Sequence, residues 1–217
     1  MHVVFREARG LEETAIPADP GQDPADLVVL SFSDSDLGAF AAGWHADRAE
    51  AAAQGVPPGL PGLRLCNLAL LRHPLSVDQY CDRTIAGARA VLVRLIGGEP
   101  YWPYGLASLQ DMARRRGIAL ALLPADGRAD PTLERLSTLP AALLRRLTAL
   151  CDEGGAVAAR MALAELARAA GLPARPVTGR PAIPAMGFYD PAAGVIAAPL
   201  AGEAPVLVAF YRSYLTA

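Results

Sequence analysis

The chain has 217 residues, 53% of them hydrophobic and 19% charged, and a formal net charge of −2 at pH 7. That balance supports a globular fold with a sizeable core and excludes wholesale disorder. The small net charge leaves no electrostatic footprint for nucleic acid, and no run reaches the roughly 18 apolar residues of a membrane span.

In chain order, HVVF (2–5) reads as a strand, and 7–25 is polar and Pro-containing rather than clearly helical. DLVVLSF (26–32) reads as a second strand. A helix follows, which Ser33, Asp34 or Ser35 can cap, with Leu37, Phe40, Trp44 and Asp47 setting its inner face. GVPPGLPG (55–62) ends it. LRLCNLAL (63–70) is a third strand, LSVDQYCDRTIAGA (75–88) a helix that Ser76 can cap, and AVLVRLI (90–96) a fourth strand. YGLASLQDMARRRG (104–117) is a helix closed by Gly117, with Arg114 to Arg116 suited to the negative end of its dipole. IALALLPAD (118–126) is the fifth strand.

Continuous apolar strands alternating with helices predict an α/β fold. The sheet is expected to be doubly wound and mainly parallel, flavodoxin-like or Rossmann-like, within a domain covering 1–126. Residues 127–172 read as a small helical segment interrupted at Gly154–Gly155. Residues 173–203 form a Pro-rich linker, with a hairpin around Asp190-Pro191. APVLVAFYRSYLTA (204–217) reads as the first strand of a following domain, the alternative being a sixth strand of the same sheet.

In such a sheet ligands sit beyond the carboxyl ends of the strands. Arg6 and Glu7, Ser33 to Asp36, Arg72 with His73, Gly97 to Tyr104, and Pro124 to Gly127 converge on that edge. LIGGEPYWPYG is the richest of these segments. Gly97 and Gly98 allow close backbone approach, and Tyr101, Trp102 and Tyr104 offer flat surface for a planar ring. Equally, those aromatics can staple the entry of their own helix. His73 suits a metal ligand or a hydrogen-bonded loop residue, and Arg72 or Arg94 suits a carboxylate partner. All 20 basic residues are Arg, whose planar fork favours carboxylates. The acidic SDSD run is a helix cap more readily than a metal site.

Phosphate-binding GxGxxG and GxxxxGK[ST] loops are missing, which disfavours nucleotide chemistry. No Ser/His/Asp or Cys/His order stands out, so no catalytic residue is assigned and the metal ligands are unknown. Cys66, Cys81 and Cys151 are odd in number and lack CxxC spacing, arguing against a zinc or disulfide framework and for a reducing setting. The N-terminal MHVVFREARG is too charged for a secretory signal, so the expected location is the cytoplasm.

Five ordered blocks carry a resemblance: ADLVVLSFSDSDL, LRLCNLALLRHPLSVDQYCDRT, VLVRLIGGEPYWPYG, RGIALALLPADGRADP and VLVAFYRSYL. They resemble the N-terminal region of the large subunit of aerobic cobaltochelatase, which is similar to the magnesium-chelatase large subunit. The likeness covers most of the chain and is weakest in 7–25 and in the Pro-rich arm. It implies an ATP-dependent, ligase-type chelatase that inserts Co²⁺ into hydrogenobyrinic acid a,c-diamide on the aerobic route to cobalamin. AAA+ type partner subunits would handle ATP with Mg²⁺. The family's metal-insertion residues lie downstream, so this piece is expected to be non-catalytic and to hold no cofactor itself. Tyr101, Trp102 and Tyr104 would face the tetrapyrrole ring, and Arg94 or Arg72, with His73, Gly97 and Gly98 nearby, its acidic edge. The alternative is a stand-alone flavodoxin-like binding module without catalysis.

Overall fold

The computed structural model describes residues 16–177, 188–190 and 194–196. The strand expected at 2–5, Arg6 and Glu7, and the run at 204–217 lie outside the described residues. Four strands form one parallel sheet: β1 (Leu27–Ser31), β2 (Leu63–Asn67), β3 (Ala90–Leu95) and β4 (Ala119–Pro124), in the order β2-β1-β3-β4. Every residue of β1 and β3 is buried. Central strands covered on both faces need that continuous apolar character.

The two-residue period of the strands sorts their side chains into two cores. Val28, Leu30, Val91, Val93, Leu120 and Leu122 face α2 (Pro74–Arg83) and α3 (Pro103–Arg116). Leu133 of the short α4 (Pro131–Leu136) joins that side. Leu27, Val29, Leu92, Ala121 and Leu123 face the other side, against Phe40 of α1 (Asp34–Gln54), Leu144 and Leu147 of α5 (Ala141–Glu153) and Leu163 of α6 (Gly155–Ala169). Each fully buried aliphatic side chain contributes about 1.5–3 kcal/mol. Within the residues read as a helical segment after the sheet, α5 and α6 therefore supply, with α1, one of its two covering layers, and α4 joins the other.

Local signals explain the element ends. Ser33 caps α1, accepting from the Asp36 amide at 3.2 Å. Gly117, at φ +68°, closes α3 by donating to the Ala113 carbonyl. Two expectations are corrected. β2 stops at Asn67, because its side chain accepts from the Ala69 amide and turns Leu68–Leu71 into a 3-10 turn. And α2 starts at Pro74, capped by His73 rather than Ser76. Proline favours the first helical position, which draws Ser76 inside the helix, where it is buried and accepts from the Ala18 amide.

Asp47, only 3% exposed, fastens α1 to the following turn and to α6. One carboxylate oxygen accepts from the amides of Gly59 and Leu60 at 2.8 and 2.9 Å, and the other meets the Arg160 guanidinium at 2.9 Å. Arg175, in the irregular stretch 172–177, bonds the Pro57 and Gly59 carbonyls. On the β4 edge, the amides of Leu120 and Leu122 donate to Thr138 Oγ1 (2.7 Å) and Ser137 Oγ (2.9 Å). On the β2 edge, Gln22 Nε2 donates to the Leu65 carbonyl at 2.8 Å. Beyond the helices, β5 (Phe188–Asp190) and β6 (Gly194–Ile196) pair antiparallel.

Candidate functional site

Because all four strands run the same way, the four described groups foreseen at the carboxyl edge do share one end of the sheet. The strand order reverses between β1 and β3, which makes their shared end the crevice of an open α/β sheet. An ion-pair network fills its floor. Ser31 Oγ donates to Asp36 Oδ2 at 2.9 Å, and Arg94 Nε reaches the same oxygen at 3.4 Å. The other end of Arg94 meets Asp152 of α5 at 2.9 Å. Burial works against the charged guanidinium, but Cys151, Asp36 and Asp152 outweigh it, and its pKa stands above the ordinary value. Burial likewise pushes the Cys151 thiol up to about 12, although Arg94 pulls the other way.

Arg94 is therefore not the free cation that the sequence suggested. It is 5% exposed and held by two carboxylates. Trp102 is likewise a core residue at 1% exposure. Its Nε1–H donates to the Leu71 carbonyl at 2.8 Å, and its ring lies over Gly105 so closely that a Cβ there would enter the ring's van der Waals envelope. Of the two readings of the aromatic trio, the stapling one fits Trp102.

Tyr101 and Tyr104 sit differently, at 40% and 38% exposure. Tyr101 meets Phe32, at the end of β1, edge to face at 5.2 Å. Tyr104 donates its hydroxyl to Asp78 of α2 at 2.8 Å, and that bond raises its pKa. Leu70, Leu75 and Ile96, in the segments following β2 and β3, are also about half exposed. The loop that carries Tyr101 is set by Gly97 and Gly98, at φ +86° and +70°. A Cβ at Gly98 would lie 2.6 Å from Asp130 Oδ2, so this loop abuts the start of α4. His73 Nδ1 is occupied as an acceptor from the Leu75 amide at 3.1 Å. Arg72 is part-buried, and its Nε has no hydrogen-bond partner among the described residues. Among the described residues no group of three or more His, Cys, Asp or Glu is placed to hold a metal ion. Nor is any helix there long and apolar enough to cross a membrane.

A cavity of about 240 Å³ opens beside the Gly98 loop, between the end of β4 and α5. Arg128, Asp130, Glu134, Arg145, Thr148 and Asp152 supply its polar rim. Sequence reasoning reached only its Pro124–Gly127 side. The rest comes from the loop before α4, from α4 and from α5, whose place against β4 no local signal announces.

No family model matches the chain. The aerobic cobaltochelatase subunit CobN of a Sinorhizobium species is 35% identical over 196 residues, covering 90% of this chain and 14% of that protein. The subunit of the same name from Pseudomonas aeruginosa is 36% identical over 155 residues, covering 71% of this chain and 12% of that one. Among solved structures, the catalytic subunit of cobaltochelatase from Mycobacterium tuberculosis shares the fold with a TM-score of 0.53 at 22% identity. That likeness spans 71% of this chain and 11% of the other. The chain thus spans about one seventh of the curated relatives it matches.

Proposed function

We propose that this chain, homologous over most of its length to a segment of the CobN subunits of aerobic cobaltochelatases, serves as the N-terminal segment of such a subunit. The enzyme would be an ATP-dependent, ligase-type chelatase that places Co²⁺ in hydrogenobyrinic acid a,c-diamide during cobalamin synthesis. AAA+ type partners would hydrolyse ATP with Mg²⁺. The observation that carries this reading is 35% identity across 196 residues. In this reading the segment shapes the tetrapyrrole surface and leaves metal insertion to residues elsewhere in the subunit. Tyr101 and Tyr104 present flat faces to the ring, while Gly97 and Gly98 let it approach the backbone. Arg72 and His73 flank the ring from the β2 side.

The test is cobalt insertion by the complete subunit with its ATPase partners, Co²⁺ and ATP, followed by the change in corrinoid absorbance. Tyr101→Ala/Tyr104→Ala should raise KM for the tetrapyrrole at least fivefold with little change in kcat, since a stacked aromatic is worth about 1 kcal/mol or more. Insertion of Mg²⁺ into a porphyrin without any cobalt insertion would overturn the reading.

A further inference from the structure

The cavity beside β4 has a chemistry that the Tyr101–Tyr104 surface lacks. The side chains of Arg128, Arg145 and Glu134 have no hydrogen-bond or ion-pair partner among the described residues, and all three are exposed on its rim. Two of its other carboxylates are engaged: Asp152 holds Arg94, and Asp130 accepts from the Thr132 and Leu133 amides at the start of α4. The side chains on the rim left wholly without a partner among the described residues are a pair of guanidiniums and one carboxylate. At about 240 Å³ the cavity falls below the usual 300–1,000 Å³ of a pocket for a whole organic ligand. It has room for side arms only.

We propose that this cavity is a subsite for neighbouring acid and primary-amide arms on the rim of the tetrapyrrole, read by Arg128 and Arg145 on one side and Glu134 on the other. A guanidinium binds a carboxylate through paired N–H donors. Glu134 accepts an amide N–H but repels a second carboxylate, so the same pocket that welcomes an acid–amide pair disfavours an all-acid edge. Its position supports the assignment. Asp130, on its wall, touches the Gly98 turn that carries Tyr101, so a ring lying on Tyr101 brings its periphery to the cavity mouth. Arg94, which the sequence offered for the acids, is already taken. The inference rests on the tetrapyrrole reading above.

The experiment is a low-salt titration of the 217-residue chain with two probes, followed by corrinoid absorbance. One is hydrogenobyrinic acid a,c-diamide, and the other is the same ring with both amides replaced by carboxylates. Arg145→Gln and Arg128→Gln should each weaken the diamide about tenfold, the loss of one charge-assisted contact. Glu134→Gln should tighten the all-acid ring and shrink the preference for the diamide at least fivefold. Circular dichroism checks that these surface changes leave the fold intact. If the chain binds the diamide and the arginine variants bind it equally well, or Glu134→Gln leaves the preference unchanged, the subsite is wrong while the tetrapyrrole reading stands. If the unsubstituted chain binds neither probe, the tetrapyrrole surface itself is wrong and the subsite falls with it.

Discussion

Replacing Trp102 by phenylalanine separates packing from ligand contact in the Gly-Gly-aromatic loop. The indole is 1% exposed and its N–H satisfies the buried Leu71 carbonyl at 2.8 Å. Phenylalanine keeps a ring but removes the donor, and leaving that carbonyl unpaired costs about 1–3 kcal/mol. The smaller ring also leaves a void against Gly105, adding about 1 kcal/mol. The sum, about 2–4 kcal/mol, lowers the melting temperature by roughly 5–15 °C in a chain of this size. Urea unfolding followed by far-ultraviolet circular dichroism measures the change, and an unaltered m-value shows that the folded state has kept its compactness. Fluorescence gives a second readout. Trp44 is the only other tryptophan, part-buried with its N–H on the Pro61 carbonyl at 2.9 Å. The emission lost in the variant should therefore be the bluer component. A stability change below about 0.5 kcal/mol, in the range of ordinary surface substitutions, or the loss of a red, water-exposed emission, would refute the buried placement.

Arg94→Met removes the cation between Asp36 and Asp152. Since those carboxylates are partly exposed, we expect a loss of about 2–4 kcal/mol in urea unfolding, partly recovered by adding Asp36→Asn. Gly105→Ala drives a methyl into the Trp102 ring in a site with no slack, and should cost about 3 kcal/mol by the same measurement. Asp47→Ala strands the Gly59 and Leu60 amides and the Arg160 guanidinium, for about 3 kcal/mol, and should speed hydrogen exchange at those two amides. Burial pushes Cys66, Cys81 and Cys151 up to about 12 from an ordinary value of 9.0. The folded state then holds protons that the unfolded chain releases, so stability is level below about pH 9 and falls as pH rises towards 12. Urea midpoints across that window check the sign, and constant stability from pH 8 to 11 would contradict it.

The strands and most helix ends were legible in the sequence because their signals are local. Apolar runs bounded by turn residues marked β1, β3 and β4, and Gly117 marked the end of α3. What failed was whatever depends on distant residues. Arg94 looks like a strand-end cation open to a ligand, and only the folded chain brings Asp36 and Asp152, each 58 residues away, to its two ends. Trp102 reads as a rim aromatic until Leu71, 31 residues earlier, presents the carbonyl that holds it inside. Ser76 reads as a cap because serine usually is one, yet Pro74 begins the helix two residues sooner. Half of the candidate site was visible as the Gly97–Tyr104 stretch. Of the cavity only the Pro124–Gly127 side was, because Arg128 lies in the loop after β4 and Arg145 on α5, with no shared motif.

The borders of the sheet constrain how this unit joins larger assemblies. In β4, Leu120, Leu122 and Pro124 alternate along the strand. The first two amides are spent on Thr138 and Ser137, and the third residue has no N–H to offer. On the opposite side, Gln22 already covers the Leu65 carbonyl. A β4 edge whose amides are spent in this way offers an incoming strand little to zip onto. A neighbour on that side is left to grip it through side chains on its helices and loops. The same arrangement works against strand-to-strand polymerisation of separate copies through β4.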